Sequence, residues 1–293
     1  MKIVQVDDVA RNRGLEHRGG TFFSRTMVEG QPGTPGNFKF SLSELGTDYS
    51  GPRHRHNFDQ FRFALEGESD YGQDGSLKAG MLGYYPEGVH YGPQVNKTPI
   101  FNAVLQFGGA SGSGYLLPRE VKAGMEELKA FGEFKDGVFH RGEGVPGKRN
   151  MDAYQAIWEH VHAREMVYPK GRYSTPIFMD SESYDWAPVK GAKGVCEKLF
   201  GVWTERRIEA GLIRLDAGAR HEVGGRGIFL VLSGAGMCAG QPLRKFTTVY
   251  LDQDEHTVMQ ASEITELLHY GLPDLSHLTA GIHTSGVAMQ AAE

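Results

Sequence analysis

Hydrophobic and polar residues alternate in short stretches along most of the chain, and each stretch is closed by a turn signal such as Gly67 or Gly92-Pro93. Side chains two apart on a strand leave the same face of a sheet, so this alternation predicts strands with one buried face. In the first half the stretches lie at about 37–45, 58–66, 69–73, 81–86 and 99–108. In the second half they begin near Val195 and continue at about 210–215, 227–232, 235–239, 246–251 and 264–271. Many short strands at regular spacing are typical of a sandwich or a small barrel.

Two helices are predicted between the two groups of strands. The first runs over 118–131 with Pro118 in its first turn, and the second runs over 151–166 with Asp152 as its N-cap or first-turn acid. The chain then divides into an N-terminal arm at 1–36, a first barrel at 37–110, a connector with two helices at 111–194, and a second barrel with a polar tail at 195–293.

The two halves of the chain align with each other. The aligned segments are 53–56 with 220–223, 61–67 with 228–234 and, with a gap of one residue, 84–90 with 250–256. Three segments in the same order favour a duplicated barrel. In the second copy Val223 replaces His56 and Gly227 replaces Gln60, which leaves too few ligands for a strong metal site. We therefore expect the second barrel to be structural.

Composition narrows the class of protein. The 40 glycines among 293 residues suit a turn-rich β protein, because this share is roughly double the usual one. The net charge of -5 contains no long block of one sign, which argues against nucleic acid or an anionic membrane as partner. Cys196 and Cys238 are too few for a disulfide framework or a cysteine zinc site. No signal peptide or membrane span is recognisable, so we expect a soluble, cytoplasmic protein.

Candidate chemistry is concentrated between Gly51 and His90. His54 and His56 are two residues apart, and Gln60 keeps the same parity four residues later, so on a strand all three side chains share a face. His90 follows on a later strand, just after a Pro-x-Gly turn. Three neutral imidazoles and an amide oxygen that converge inside a barrel would form a site for a first-row metal. The alternative for the histidines is a solvent-exposed basic turn, and for Gln60 it is a pocket-lining amide that touches no metal.

These elements resemble the first motif of the cupin superfamily, which is Gly, five residues, His-x-His, three or four residues, Glu, six residues and Gly. Here His54 and His56 are followed after three residues by Gln60 and after six more by Gly67. Gln60 stands where Glu is usual, and the first glycine lies closer to His54 than the motif requires.

The second cupin motif is Gly, five residues, Pro-x-Gly, two residues and His. Gly80 and the turn at 86–88 reproduce its beginning, and His90 comes one residue early. His256 of the second half takes the equivalent place, which suggests a shared backbone path. The resemblance covers 37–108 well and 195–272 weakly.

The resemblance implies an all-β fold of two double-stranded β-helix (jelly-roll, cupin) barrels, a bicupin, and a homodimer. It also implies one divalent metal ion per chain, held in the first barrel by His54, His56, Gln60 and His90. Fe2+ is the expected metal, with Zn2+, Mn2+ or Ni2+ as alternatives. The chain is similar to the gentisate-type ring-cleaving dioxygenases, in which three histidines hold Fe(II). Its His, His, Gln, His set is similar to that of cupin polyketide cyclases, in which such a set holds zinc.

Three further residues are candidates for catalysis. Arg62 shares the parity of Gln60, so we expect it to point into the barrel and to fix a substrate carboxylate with two hydrogen bonds. An internal salt bridge with Glu66 or Glu68 is the alternative. Tyr84 and Tyr91 flank the second motif and could donate a proton or a hydrogen bond, or serve as aromatic packing in the strands.

The predicted function is that of a metal-dependent enzyme acting on a small anionic or phenolic molecule, with no nucleic acid or membrane partner. Oxygenation by an Fe(II) dioxygenase is the first hypothesis. A non-redox cyclase, isomerase or lyase with Zn or Mn as Lewis acid is the second. A non-catalytic cupin that binds or senses a small molecule is the third. Fold alone does not choose among them.

Overall fold

The computed structural model describes residues 1–14, 19–31, 36–108 and 116–273. The strands that precede the helices are β1 Lys2–Val4, β2 Asn12–Arg13, β3 Phe22–Glu29, β4 Phe38–Leu45, β5 Ser50–Gly51, β6 Asp59–Glu66, β7 Glu68–Asp70, β8 Ser76–Lys78, β9 Met81–Tyr85, β10 Gln94–Asn96 and β11 Ile100–Phe107. The connector holds α1 Pro118–Leu128, β12 Gly132–Lys135, β13 Val138–Arg141, β14 Asn150–Asp152, α2 Ala153–His162, β15 Ile177–Asp180 and β16 Ala187–Pro188. The remaining strands are β17 Val195–Trp203, β18 Ile208–Leu215, β19 Arg220–Gly224, β20 Gly227–Ser233, β21 Gly236–Cys238, β22 Gln241–Leu243, β23 Thr248–Leu251, β24 His256–Ala261 and β25 Thr265–Gly271.

Two jelly-roll barrels are built from these strands, as predicted. The N-terminal barrel combines a seven-stranded sheet, β15-β9-β6-β11-β4-β3-β2, with a four-stranded sheet, β5-β10-β7-β8. The C-terminal barrel combines β1-β23-β20-β25-β18-β17-β16 with β19-β24-β21-β22. The two pairs of sheets match strand for strand, so the internal repeat found in the sequence is a repeat of topology.

Each large sheet takes its outer strand from the segment that precedes the other barrel. β1 pairs with β23 of the C-terminal barrel, where Ile3 lies opposite Val249. β15 pairs with β9 of the N-terminal barrel, where Phe178 lies opposite Gly83. Residues 1–36 also supply β2 and β3 to the N-terminal barrel. These exchanged strands cover sheet edges and tie the two barrels together.

The main hydrophobic core lies between the barrels, where the two large sheets pack face to face. Phe40, Phe61 and Leu105 from one sheet meet Leu230, Leu268 and Tyr270 from the other, and all six are fully buried. Strand alternation then places the opposite face of each large sheet inside its own barrel.

The two barrel interiors differ in character. The C-terminal barrel is filled with apolar side chains, among them Ile213, Phe229, Val231 and Met259. In the N-terminal barrel the inward side of β4 carries Lys39, Ser41 and Ser43, which alternate with the apolar residues that face the other barrel. The N-terminal interior is therefore polar and partly open, while the C-terminal interior is packed.

Both predicted helices are present in the connector, and they form a separate small core. Ile157 and Trp158 of α2 pack against α1 and against Phe58, which precedes β6. Asp152 caps α2, because its side chain accepts from the amides of Tyr154 and Gln155 at 3.0 and 3.1 Å. No helix in the described part of the chain has both the length and the apolar character needed to cross a membrane.

Candidate active site in the N-terminal barrel

Backbone pairing brings the two motif histidines together with Tyr91. His54 and Tyr91 form an antiparallel bridge in which each amide donates to the other's carbonyl, at 3.1 and 2.9 Å. The ring of His54 lies 4.5 Å from that of Tyr91 and 4.9 Å from that of His56, measured between centroids. The Pro-x-Gly turn supports this arrangement, since the Gly88 amide donates to the His56 carbonyl at 2.8 Å. Glycine is required there, because φ is +77° and a Cβ would lie 2.3 Å from the Pro169 oxygen.

The structure does not bring His90 into this site, which corrects the predicted ligand set. Neighbouring residues in an extended segment point to opposite sides, so His90 turns outward and is exposed while Tyr91 turns inward and is buried. Counted from the turn at 86–88, Tyr91 is also the residue that occupies the place of the motif histidine. A phenol therefore stands where a third imidazole was expected.

The two imidazoles have different hydrogen-bond partners at Nδ1. His54 Nδ1 lies 2.6 Å from the Pro52 carbonyl, which only accepts, so this nitrogen carries the proton and Nε2 holds the lone pair. His56 Nδ1 lies 3.3 Å from the Tyr91 hydroxyl. That hydroxyl also accepts from Arg62 Nη2 at 3.3 Å. With the phenol as donor to Nδ1, His56 carries its ring proton on Nε2, and in that arrangement one imidazole accepts a proton while its neighbour supplies one.

Gln60 and Arg62 point into the barrel, as their parity predicted, and they bind each other. In the orientation that satisfies both of its amide atoms, Gln60 accepts from Arg62 Nε at 2.7 Å and from Nη2 at 3.0 Å. The Gln60 amide also lies 2.9 Å from that of Gln106. Gln60 is thus a pocket-lining amide whose oxygen is engaged by a guanidinium.

Arg62 does not form the alternative salt bridge, because its donors bind neutral groups of the protein. Besides its bonds to Gln60 and Tyr91, its Nη1 donates to the Tyr71 hydroxyl and to Gln94 Oε1, both at 2.8 Å. All five N–H groups therefore meet neutral acceptors. The two acids proposed as partners lie elsewhere, since Glu66 is exposed and Glu68 binds Lys97 at 2.9 Å. The positive charge of Arg62 has no described counter-ion.

The guanidinium also lies against aromatic ring faces, with its carbon 4.8 Å from the ring centroid of Tyr85. Burial acts to lower the pKa of Arg62, but the oxygens of the surrounding tyrosines outweigh this and keep that pKa above its ordinary value. The side chain stays charged at any physiological pH.

Tyr84 lies outside the site, which corrects its predicted catalytic role. It faces the core between the barrels, where its ring stacks on Phe61 with centroids 4.8 Å apart. Its hydroxyl donates to Asp59 Oδ1 at 2.9 Å. Burial raises the pKa of Tyr84 well above its ordinary range. Tyr84 is the packing tyrosine of β9, and its neighbour Tyr85 is the one that faces Arg62.

A cavity of about 140 Å³ lies beside these side chains, inside the N-terminal barrel. It runs along β4 from Lys39 to Leu45, and His54, His56, Gln60 and Arg62 line it. Its roof comes from the connector and consists of Leu116, Pro118, Val121 and Tyr154. Among the described residues that line this cavity there is no aspartate or glutamate. The charged side chains on its described wall are therefore cations, Lys39 and Arg62.

The roof is joined to the site by aromatic contacts. The ring of His56 stacks on Phe58 with centroids 4.3 Å apart, and Tyr154 meets both rings edge to face at 6.0 and 5.6 Å. The Tyr154 hydroxyl in turn accepts from the Leu116 amide at 2.9 Å. Phe58 and Tyr154 thus connect the helical core to the catalytic candidates.

The described residues do not fit the predicted metal shell. Of its four ligands, His54 and His56 lie together, the Gln60 oxygen accepts from a guanidinium, and His90 is exposed. No group of three His, Cys, Asp or Glu in the described ranges could hold a metal ion. Catalytic zinc sites use three protein ligands, and the charge of Arg62 would repel a divalent cation beside it.

Several residues of the site were not predicted. Lys39, Asn102 and Gln106 line the cavity, and their signal was visible as polar positions that alternate with apolar ones in β4 and β11. Tyr71 and Gln94 come from other strands, and nothing in their local sequence indicates that they meet Arg62.

Comparisons with known proteins identify the fold. No protein-family model matches the sequence, and a search of curated proteins finds no match. Among solved structures, a candidate dioxygenase from Nostoc punctiforme is 12% identical with a TM-score of 0.64, over 98% of this chain and 84% of that one. A glyoxylate-induced protein from Pseudomonas aeruginosa is 11% identical with a TM-score of 0.57, over 92% and 87%. Oxalate decarboxylase from Bacillus subtilis is 13% identical with a TM-score of 0.55, over 94% and 76%.

Identities this low establish the fold alone. The chain has the two-barrel cupin fold, as the sequence motifs indicated.

Proposed function

We propose that the N-terminal barrel is the active site of an enzyme that acts on a small organic acid by proton transfer. The observation that supports this proposal is the composition of the cavity wall. It places Arg62, Lys39 and two imidazoles around one space without a described carboxylate. A wall with this excess of positive charge attracts an anion, and the low dielectric of a buried site strengthens the attraction.

His54 and His56 are the acid–base pair in this proposal. The lone pair on His54 Nε2 takes a proton from the substrate, and His56 Nε2 supplies a proton to another substrate atom. When His56 gives up that proton it takes the Tyr91 proton at Nδ1, and Arg62 stabilises the phenolate that remains. Exchange with water then restores both rings and the phenol. No electron changes hands, so the reaction class is isomerisation, cyclisation or lysis.

The names of two structural neighbours are consistent with an acidic substrate. By its name, the Bacillus subtilis protein acts on oxalate, which is a small dianion. The Pseudomonas aeruginosa protein is named for its induction by glyoxylate, which is also a small carboxylate. The likeness is one of fold, so it supports the class of ligand and not a particular compound.

The metal-dependent hypothesis is the second candidate, and one observation favours it. His54 and His56 occupy the two histidine positions of the first cupin motif with adjacent rings, and neutral imidazoles bind Fe, Zn, Mn and Ni. Under this hypothesis the chain is an Fe(II) dioxygenase, or a Zn or Mn cyclase, isomerase or lyase.

Proton NMR tests the first proposal, because it detects loss of a C–H signal whatever product is formed. Purified protein in D2O is incubated with pyruvate, malonate, acetoacetate, oxalate and hydroxybenzoates. We expect at least one acid to bind, and we expect a binding acid with a labile C–H bond to exchange it for deuterium. His54→Ala and His56→Ala should abolish exchange and retain binding. His90→Ala is the matched control, because that exposed histidine should leave both unchanged.

The outcomes separate the three hypotheses. Two results together would favour the dioxygenase over proton transfer. Wild-type protein would hold stoichiometric metal that His54→Ala and His56→Ala lose, and it would take up oxygen with gentisate-like compounds after anaerobic Fe(II) loading. Binding that is unaffected by the histidine variants, with no exchange or turnover, would leave a non-catalytic binding protein. Absence of binding for every acid would overturn the proposed function.

A further inference from the structure

Lys39 brings a second positive charge to the cavity. It lies on β4 and lines the cavity. Lys39 lies opposite Gln106 of β11, which in turn lies opposite Gln60 of β6. No described residue forms an ion pair or a hydrogen bond with the side-chain amine of Lys39. Burial lowers the pKa of Lys39 to about 8, against a smaller raising effect of Glu29, so the amine is mostly protonated at neutral pH.

Glu29 does not neutralise Lys39 through direct contact. It lies opposite Lys39 on β3, but its carboxylate is 3.6 Å from the guanidinium of Arg119 on α1. Lys39 therefore presents an ammonium with three donor hydrogens to the cavity. Arg62, in contrast, has its donors occupied, so Lys39 is the cation that is able to contact a bound anion directly.

Asn102 offers the complementary group at the other end of the same cavity. It lines the cavity from β11 and is 1% exposed. No described residue donates to its Oδ1, and an unpaired buried amide oxygen is costly. A hydroxyl or N–H group of a ligand would satisfy it.

The spacing of these two groups restricts the ligand. Lys39 pairs with Gln106, and Asn102 pairs with Ser43, so they are four residues apart along neighbouring strands. This corresponds to about 14 Å along the strands. Because strand side chains project across the barrel rather than along its wall, one carboxylate cannot reach both groups. Ser41 and Val104 lie at the level between them.

We propose that the substrate is a small acid whose carboxylate binds Lys39 and whose hydroxyl or N–H group, at the opposite end, binds Asn102. This proposal rests on the proposed function and names its substrate class. A cavity of about 140 Å³ holds a body of about the size of benzene. The class is thus a flat or short molecule with an acid at one end and a donor at the other, for which 4-hydroxybenzoate is a suitable probe.

Calorimetric titration with three probes tests each end of the ligand separately. We expect wild-type protein to bind 4-hydroxybenzoate more tightly than benzoate or phenol. Lys39→Met should weaken both acids at least tenfold and leave phenol unchanged. Asn102→Leu should weaken 4-hydroxybenzoate and phenol and leave benzoate unchanged. Lys39→Arg should retain most of the affinity for both acids, since it keeps the charge.

Controls distinguish this inference from the proposed function. Lys78→Met removes an exposed strand lysine and should change no affinity, and thermal unfolding of every variant checks that it is folded. Equal affinity of wild-type and Lys39→Met for both acids would overturn the inference and leave the proposed function standing. Failure of all three probes on wild-type protein, while another acid of the NMR panel binds, would also reject this substrate class. Failure of every acid would reject the proposed function itself.

Discussion

Arg62 donates five hydrogen bonds, and none of its acceptors carries a charge. Satisfying all five donors lowers the cost of burying the guanidinium, although its charge has no described counter-ion. The arrangement has two effects. It fixes the positions of Gln60, Tyr91 and Gln94, and it leaves a net positive charge at the wall of the cavity. At the scale of the residue, Arg62 positions Tyr91, and its positive charge attracts an anion to the cavity.

Tyr91 is predicted to matter for turnover and not for binding. Tyr91→Phe removes the hydroxyl that links Arg62 to His56, so His56 can no longer recover a proton at Nδ1. We expect proton exchange to slow by about 100-fold, at the low end of the usual acid–base contribution, with little change in affinity. Steady-state rates and titrations of the same variant measure the two effects.

Tyr84→Phe is the matched control for this substitution. It removes a hydroxyl from the neighbouring strand that faces away from the cavity, so we expect its exchange rate to equal that of wild-type protein. Equal rates for Tyr91→Phe and wild type would refute the relay.

Asp59 is predicted to contribute less to the stability of the protein at neutral than at acidic pH. Burial, together with the nearby Glu87 carboxylate, raises the pKa of Asp59 from 3.8 to about 6, against the lowering effects of the Glu87 amide, Tyr84 and Arg172. The folded protein holds this proton more tightly than the unfolded chain. The stabilisation is therefore complete below pH 3.8 and is lost as the pH rises through about 6.

Chemical denaturation from pH 4 to pH 7 measures this contribution. The shift corresponds to about 3 kcal/mol, so the unfolding free energy of Asp59→Asn should gain about that amount relative to wild type over this range. Asp252→Asn, at an aspartate that is 65% exposed, should not show the gain. A constant difference between Asp59→Asn and wild type would contradict the assignment.

At the scale of the element, the connector helices complete the active-site cavity. The sequence predicts a connector with two helices, and residues of α1 and α2 form the roof of the cavity. The roof is held by the contact of Tyr154 with His56 and Phe58, and by the cap of α2. The connector is thus part of the site and not only a link between barrels.

Loss of the α2 cap is predicted to loosen this roof. Asp152→Ala removes two acceptor contacts to the amides of Tyr154 and Gln155, at a cost of about 1 kcal/mol. Hydrogen exchange measured by mass spectrometry should increase in residues 153–162 before it changes in the strands. Asp152→Asn keeps an acceptor and should show most of the wild-type protection. Uniform exchange changes across the chain would contradict a local role.

At the scale of the whole molecule, the barrels are held together by a shared core and by exchanged edge strands. The large sheets bury their apolar faces against each other, and β1 and β15 each belong to the barrel they do not precede. Neither barrel can separate without exposing this core. We therefore expect the two barrels to unfold as one unit.

Phe61→Ala tests that expectation. Phe61 is fully buried and its ring contacts Tyr84, Trp203 and Tyr270, with centroids 4.8 to 5.6 Å away. We expect a loss of about 3–5 kcal/mol in the free energy of unfolding within a single calorimetric transition. Phe131→Ala, at an exposed phenylalanine, should have little effect. Two resolved transitions would show that the barrels unfold independently.

The sequence by itself determined the strands, the duplication of the barrel and the part of the site that residues 54–62 contribute. Alternation defined β4, β6 and β11 to within one or two residues, since a period of two is a local property of the chain. It also placed Gln60 and Arg62 on one face of β6, because parity along a strand fixes which side chains share a face. His54 and His56 line the same cavity from the segment that precedes β6.

Only the tertiary structure decided which face is inside. The alternation in β4 creates an apolar face and a polar face, and the second barrel covers the apolar one, so Lys39 and Ser41 line the cavity. The tertiary structure also decided that Tyr91 faces the site while Tyr84 and His90 do not. The orientation of a side chain at a loop or a strand end depends on the partner strand. The four acceptors of Arg62 come from four different strands or loops, and such long-range packing leaves no local mark in the sequence.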